Sequence, residues 1–294
     1  MGKHTLFTGA GVALVTPMTA DGCVHYRKYR ELIEQQIEAG VDAIIAVGTT
    51  GEASTLAPDE IRGVMETAVE QTKGRVPVIC GAGSNDTAHT IELCDLARDC
   101  GADGELLVTP YYNKTSQRGL VAHYSHVANR TELPIILYNV PSRTGLDLRP
   151  ETVCELAKHP RIVGLKAAGS HLSDVADVAA GCDIDIYAGN DDQIVPVLSL
   201  GGKGVISVLA NVVPRQTATM CKRWFAGDVD GSRRLQLEWL PLIRALFSDV
   251  NPIPVKQAMN FMGMNVGECR LPLCRMSAGG KDHLRAVLEG YRLM

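Results

Sequence analysis

Eight short apolar, β-branched runs recur along the chain with helical stretches between them, and this recurrence limits the possible folds more than any other feature. The runs begin at Gly11 (GVALV), Ala43 (AIIAV), Val76 (VPVIC), Gly104 (GELLV), Pro134 (PIILY), Ile162 (IVGLK), Ile184 (IDIYA) and Gly204 (GVISV). Successive starts lie 20 to 33 residues apart, the length of one strand–helix unit. Near-continuous hydrophobicity suits parallel strands covered on both faces. The stretch Asp59 to Lys73 supplies the helical counterpart, with Ile61, Val64, Met65, Ala68 and Val69 spaced to form one apolar stripe. Pro58-Asp59-Glu60 places acidic groups in that helix's first turn, where its dipole favours them. Eight such units within about 225 residues fit a closed α/β fold, the (β/α)8 TIM barrel. A doubly wound open sheet is the rival, but its glycine-rich turn is missing after the first strand, which runs into Thr16-Pro17-Met18. Gly81-Ala82-Gly83 lacks the third glycine of that fingerprint.

From Val229 the rhythm stops. Residues 1–228 are therefore expected to form the catalytic barrel and 229–294 a small C-terminal helical domain, with breaks at Asn251-Pro252-Ile253-Pro254 and Gly279-Gly280. Hydrophobic residues make up 46% of the 294 and charged residues 21%, which suffices for a large core and excludes wholesale disorder. A net charge of −4 and only 5% aromatic residues argue against a nucleic-acid partner. No apolar run reaches the ~18 residues of a membrane span, and Met1 to Thr8 carries no apolar signal core, so a cytoplasmic location is expected. The nine cysteines form no Cys-x-x-Cys pair, which predicts reduced, mostly buried thiols.

In a barrel of this kind chemistry sits at the carboxyl ends of the strands. Those ends carry Gly48-Thr49-Thr50-Gly51-Glu52, Thr109-Pro110-Tyr111-Tyr112-Asn113, Tyr138-Asn139 followed by Val140-Pro141-Ser142-Arg143-Thr144-Gly145, then Lys166, Gly189-Asn190-Asp191 and Ile206-Ser207. Lys166 follows an apolar run, so its amine is expected in the barrel mouth with little water around it. Desolvation disfavours the ammonium and makes the amine a usable nucleophile towards a ketone. A solvated lysine at a strand end is the plain alternative. Tyr138, Thr49 and Tyr112 stand at three different strand ends, as a proton relay to an imine requires, although each alone also suits a core rim or a strand end. Arg143, in a loop bounded by proline and glycine, can clamp a carboxylate with two bonds, or be a solvated loop arginine. Strand 8 leads into Val208-Leu209-Ala210-Asn211, not a glycine-rich turn, which disfavours a phosphorylated substrate. His123 and His126 lie on a helix outside the barrel with no converging carboxylates, so no metal is expected. Asp191-Asp192 read as the cap of a helix starting near Gln193, with magnesium binding as the minor reading.

Gly48-Thr49-Thr50-Gly51-Glu52, Tyr138 to Gly145, Gly164-Leu165-Lys166 and Asn251-Pro252-Ile253-Pro254-Val255-Lys256 resemble the dihydrodipicolinate synthase family almost end to end. The first two elements alone would mark only the wider pyruvate-dependent aldolases, whose sugar-acid lyases, for N-acetylneuraminate or 2-keto-3-deoxy-gluconate, are the nearest rivals. A catalytically silent barrel acting as a binding protein is the rival of another class. The resemblance implies condensation of pyruvate with L-aspartate 4-semialdehyde in lysine biosynthesis, with no cofactor beyond a covalent pyruvate imine on Lys166. It makes Tyr138 the proton donor and acceptor, with Thr49 and Tyr112 completing the relay. Thr50 would take the pyruvate carboxylate and Arg143 that of the semialdehyde, while Gly189 and the Ile206 backbone line the pocket. It implies a homotetramer, a dimer of dimers, in which Tyr112 enters the neighbour's site. Two positions depart from the family pattern: Ala167 stands where glutamate is frequent, and Asn190 where aspartate is. In lysine-sensitive members the inhibitor sits beside residues matching Ala53, Ser54, Pro58, Ile61, Asn85, His89 and Tyr111. Here His89 replaces a glutamate, and Pro58 and Ile61 replace imidazoles, so weak or absent inhibition by lysine is expected.

Overall fold

The computed structural model describes residues 4–169 and 171–294. Eight strands, β1 (Gly9–Ala13), β2 (Ala43–Ala46), β3 (Val78–Gly81), β4 (Gly104–Val108), β5 (Ile135–Asn139), β6 (Ile162–Ala167), β7 (Asp185–Ala188) and β8 (Gly204–Ser207), pair in parallel and in sequence order. β8 returns to β1 with Ala10 opposite Val205 and Gly11 opposite Ile206, which closes the barrel. Each strand lies within two residues of its apolar run in the sequence. The outer layer is built from α1 (Tyr26–Ala39), α2 (Pro58–Thr72), α3 (Thr87–Asp99), α4 (Gln117–Ala128), the one-turn α5 (Pro141–Thr144), α6 (Pro150–Leu156), α7 (Leu172–Gly181), α8 (Ile194–Ser199) and α9 (Pro214–Phe225). α10 (Val229–Glu238), α11 (Leu240–Leu246), α12 (Ile253–Phe261) and α13 (Ala278–Gly290) complete the chain.

Strand alternation explains why the runs are apolar throughout. Ile45, Ile79, Leu106, Ile136, Tyr187 and Ile206 fill the barrel interior, while their neighbours Ile44, Val78, Leu107, Ile135, Ile186 and Val205 pack outward against helices. At the amino-terminal end Phe7 stacks on Tyr187 with ring centroids 4.4 Å apart, and the Tyr187 hydroxyl donates to the Phe7 carbonyl at 2.7 Å. The barrel is thus a packed core whose free end is the carboxyl end of the strands. α2 begins as its sequence predicts, with Pro58 in the first turn and the Glu60 carboxylate accepting from the Ala57 N–H at 2.9 Å.

Leu242, Ile243 and Leu246 of α11, Val255 and Met259 of α12 and Leu284 and Leu288 of α13 share one apolar cluster with Val12, Ile44 and Val64 of the barrel. Gly279-Gly280 does not break the tail. Both lie in the first turn of α13, where Ser277 caps the helix by accepting from the Gly280 N–H at 3.1 Å. Glycines are tolerated there because the cap, not side-chain packing, holds that turn. The thiols are less buried than expected: Cys80, Cys94 and Cys221 are buried, four are half-buried, and Cys23 and Cys274 are exposed, since Cys100, Cys182 and Cys269 only border the apolar clusters and Cys23 and Cys274 fall in loops. Among the described residues no helix is long and apolar enough to cross a membrane.

Candidate active site

β5 and β6 pair with Tyr138 opposite Lys166, so both side chains leave their strands at one level of the barrel mouth. Lys166 is 5% exposed and Tyr138 7%, and the Lys166 Nζ lies over the Tyr138 ring, 4.3 Å from its centroid. The ring face attracts a cation on that nitrogen. Lys166 is therefore not a solvated strand-end lysine. Ile206 joins Tyr138 in the same interior cluster. The Gly189 N–H donates to the Ala167 carbonyl at 2.7 Å. A Cβ at Gly189 would stand 2.6 Å from the Ala168 Cβ, so only glycine lets the end of β7 lie against the end of β6 here.

Thr49, Tyr138, Arg143 and Tyr112 line one open groove of about 1340 Å³. The loop after β2 enters it under strain: Val47 (φ 54°) and Glu52 (φ 59°) are both left-handed, as is Tyr112 (φ 62°) on the loop after β4. Such conformations persist only where surrounding contacts enforce them. Thr16 Oγ1 donates to the Gly51 carbonyl at 2.7 Å, and buried Thr50 accepts from Asn251 Nδ2 at 3.0 Å. The loop after β5 is organised by Asn139, whose Nδ2 donates to Asp147 Oδ1 at 2.7 Å and whose Oδ1 accepts from the Leu148 N–H at 3.0 Å. It ends on the left-handed Gly145 (φ 68°), and between these anchors Arg143 Nη2 reaches the Asn251 carbonyl at 3.0 Å.

The residues expected to form the relay are not all drawn together. Tyr138 is buried beside Lys166, whereas Tyr112 stands at the rim, 92% exposed. Ala53, Ser54, Pro58, Ile61, His89 and Tyr111 line the outward continuation of the same groove, towards α2 and α3. Asn85 Nδ2 donates to the Tyr111 carbonyl at 3.1 Å, and His89 Nδ1 lies 3.0 Å from Glu92 Oε2.

Asp191 does not cap the helix after it. Its carboxylate turns back under the mouth to accept from Ser207 Oγ at 2.5 Å and from the Val208 and Leu209 N–H groups at 3.0 and 2.9 Å. The turn after β8 offers it three donors at once, which the start of α8 at Ile194 does not match. Burial pushes its carboxyl up, opposed by those donors and by the Lys166 charge. His123 packs in the helix layer, with Thr87 Oγ1 2.9 Å from its Nδ1. Among the described residues no group of three or more His, Cys, Asp or Glu side chains is placed to hold a metal.

Sequence reasoning missed the residues that support the mouth from the tail. Lys256 pairs with Glu52 at 2.8 Å, and Asn251 binds both Thr50 and Arg143. Their signal was present in Asn251-Pro252-Ile253-Pro254-Val255-Lys256, a motif with no role that local pattern could assign.

The family model described as the dihydrodipicolinate synthetase family matches residues 6–290. A 4-hydroxy-tetrahydrodipicolinate synthase of Thermoanaerobacter sp. (strain X514) is 50% identical over 292 residues, covering 98% of each chain. Among solved structures, a dihydrodipicolinate synthase 45% identical superposes with a TM-score of 0.96, covering 98% of this chain and 100% of that one. The chloride-inhibited enzyme from Acinetobacter baumannii, solved with pyruvate, is 40% identical with a TM-score of 0.96, covering 99% of this chain and 100% of that one. These relatives favour the synthase over a sugar-acid lyase.

Proposed function

Because the chain belongs to the dihydrodipicolinate synthetase family, we propose that its barrel mouth condenses pyruvate with L-aspartate 4-semialdehyde through a Schiff base on Lys166. Its activity is that of a 4-hydroxy-tetrahydrodipicolinate synthase, a lyase of lysine and diaminopimelate biosynthesis. The observation that carries the residue assignment is the buried Lys166 Nζ lying 4.3 Å over the Tyr138 ring at the end of the barrel.

The neutral amine adds to the ketone carbon of pyruvate, and the ketone oxygen leaves as water, giving an iminium. The positive nitrogen draws electrons from the neighbouring methyl carbon, which loses a proton to the relay and becomes an enamine. That carbon attacks the aldehyde. A carbon–carbon bond forms, and the aldehyde oxygen takes a proton to become a hydroxyl. The amino group of the semialdehyde then displaces the lysine nitrogen, closing the ring and freeing Lys166. Tyr138 carries the protons, with Thr49 and a Tyr112 from a neighbouring copy extending the relay. Thr50 holds the pyruvate carboxylate, Arg143 holds that of the semialdehyde, and Gly189 and the Ile206 backbone shape the pocket. The covalent imine is itself the electron sink, so this chemistry needs no cofactor. The working form is a cytoplasmic homotetramer, a dimer of dimers.

Borohydride added with pyruvate should fix a reduced adduct on Lys166, located by peptide mass mapping. Trapping that persists in Lys166→Ala, or an adduct on Lys203, would overturn the assignment.

A further inference from the structure

Contacts to two sides of the mouth meet in one residue that the reaction scheme does not use. Asn251 is buried at the entry to α12. Its Nδ2 donates to Thr50 Oγ1 at 3.0 Å, while its main-chain carbonyl accepts from Arg143 Nη2 at 3.0 Å. Its Oδ1 is buried with no hydrogen-bond partner among the described residues. An amide left half-satisfied in a buried position is a poor structural filler, because the orphaned acceptor costs stability.

The bond to Thr50 has a definite chemical consequence. A threonine hydroxyl has one proton to give and lone pairs to accept with. When Asn251 donates into a lone pair, the Thr50 proton is left to point elsewhere. A carboxylate can only accept, so it requires that proton. An acceptor at position 251 would do the opposite and draw the Thr50 proton towards itself.

We infer that Asn251 is a positioning residue: its side chain sets Thr50 as a hydrogen-bond donor to the pyruvate carboxylate, while its backbone steadies Arg143 for the second substrate. The inference rests on the substrate roles proposed above for Thr50 and Arg143. It separates the two substrates, because a side-chain substitution removes the contact to Thr50 and leaves the carbonyl that Arg143 uses.

The test compares Asn251→Leu, neutral and close in size, with Asn251→Asp, which keeps the shape but only accepts. Asn251→Asp, which draws the Thr50 proton towards itself, should raise the KM for pyruvate roughly tenfold, the scale of one lost hydrogen bond to a charged group. Asn251→Leu, which only frees that proton, should raise it by less. In both, the KM for the semialdehyde changes less than about twofold, within the spread expected of a contact not removed. In a Thr50→Val background neither substitution should weaken pyruvate further. Borohydride trapping of pyruvate by the wild-type enzyme is the control. If the wild type traps pyruvate but the variants keep its KM, damage both substrates equally, or add their effect to that of Thr50→Val, the role of Asn251 falls and the reaction stands. If the wild type traps none, the reaction reading falls and takes this inference with it. Should Asn251→Leu fail to fold, Asn251→Asp alone gives the same readouts.

Discussion

Lys256 Nζ lies 2.8 Å from Glu52 Oε1, with the two side chains 2% and 1% exposed. The ammonium also donates to the Thr16 carbonyl at 3.1 Å and the Glu268 carbonyl at 2.8 Å, so all three of its protons are used. The second Glu52 oxygen accepts from the Arg270 N–H at 2.8 Å. The pair therefore escapes the usual penalty of a half-satisfied buried charge, and it fastens the loop that carries Thr49 and Thr50 to α12. Removing one partner strands the other. Lys256→Met or Glu52→Leu should each cost ~3–5 kcal/mol of stability, and the double replacement should recover much of that loss. Denaturant unfolding of the three variants checks this, and single variants as stable as the wild type would refute it.

Arg143→Ala should lower kcat/KM for the semialdehyde roughly 10- to 100-fold, the scale of lost hydrogen bonds to a charged group. Imine formation with pyruvate should suffer far less. Lysine at this position restores only part of the loss, because a point charge does not reproduce a two-pronged contact. Steady-state kinetics with each substrate varied in turn decides the matter, and equal damage to both substrates would make Arg143 structural.

Glu105 faces outward from β4 and is buried, with Thr131 Oγ1 donating to its Oε1 at 2.5 Å. Burial pushes its carboxyl up to about 7, with the Thr131 and Cys94 side chains opposing the shift. The folded protein thus keeps this proton to a higher pH than the unfolded chain does. Stability from this group is fully present below the unfolded value near ~4.3 and falls as pH rises towards 7, by up to about 3 kcal/mol. Glu105→Gln should flatten the unfolding free energy between about pH 5 and 7. Unchanged pH dependence in that variant would assign the effect elsewhere.

Tyr111 and Tyr112 form an aromatic pair at a loop tip, 39% and 92% exposed. Aromatic anchors of this sort suit an interface core. Sedimentation should find a tetramer, and Tyr112→Phe should lower turnover by removing the relay hydroxyl without changing assembly. A fully active monomer would contradict both statements.

Lysine should inhibit weakly or not at all. Its two ammonium groups need acceptors once buried, yet Pro58 and Ile61 offer none from their side chains and His89 carries no negative charge. Rate measurements with lysine well above the substrate concentrations decide the point, and strong inhibition at low lysine would overturn it.

Local pattern determined a great deal of this protein. A run such as Gly104–Val108 suits a strand covered on both faces, and eight such runs with helical spacers fit a closed barrel. The position of Lys166 at the end of its run marked the strand end that carries the amine, because strand direction and alternation are local properties, but its burial over the Tyr138 ring was decided by the fold. Tertiary structure alone decided what supports the barrel mouth. Glu52 and Lys256 are 204 residues apart, and Thr50 and Asn251 are 201 apart. Periodicity carries no information about which distant polar atoms will meet, since that depends on strand register and on the path of the tail across the barrel. The Asp191 carboxylate, which reads as a helix cap in sequence, went instead to the turn after β8, where three donors converge. Apolar burial is non-directional and shows in composition and spacing, whereas a hydrogen bond needs a donor and an acceptor at one distance and angle, which only the folded chain supplies.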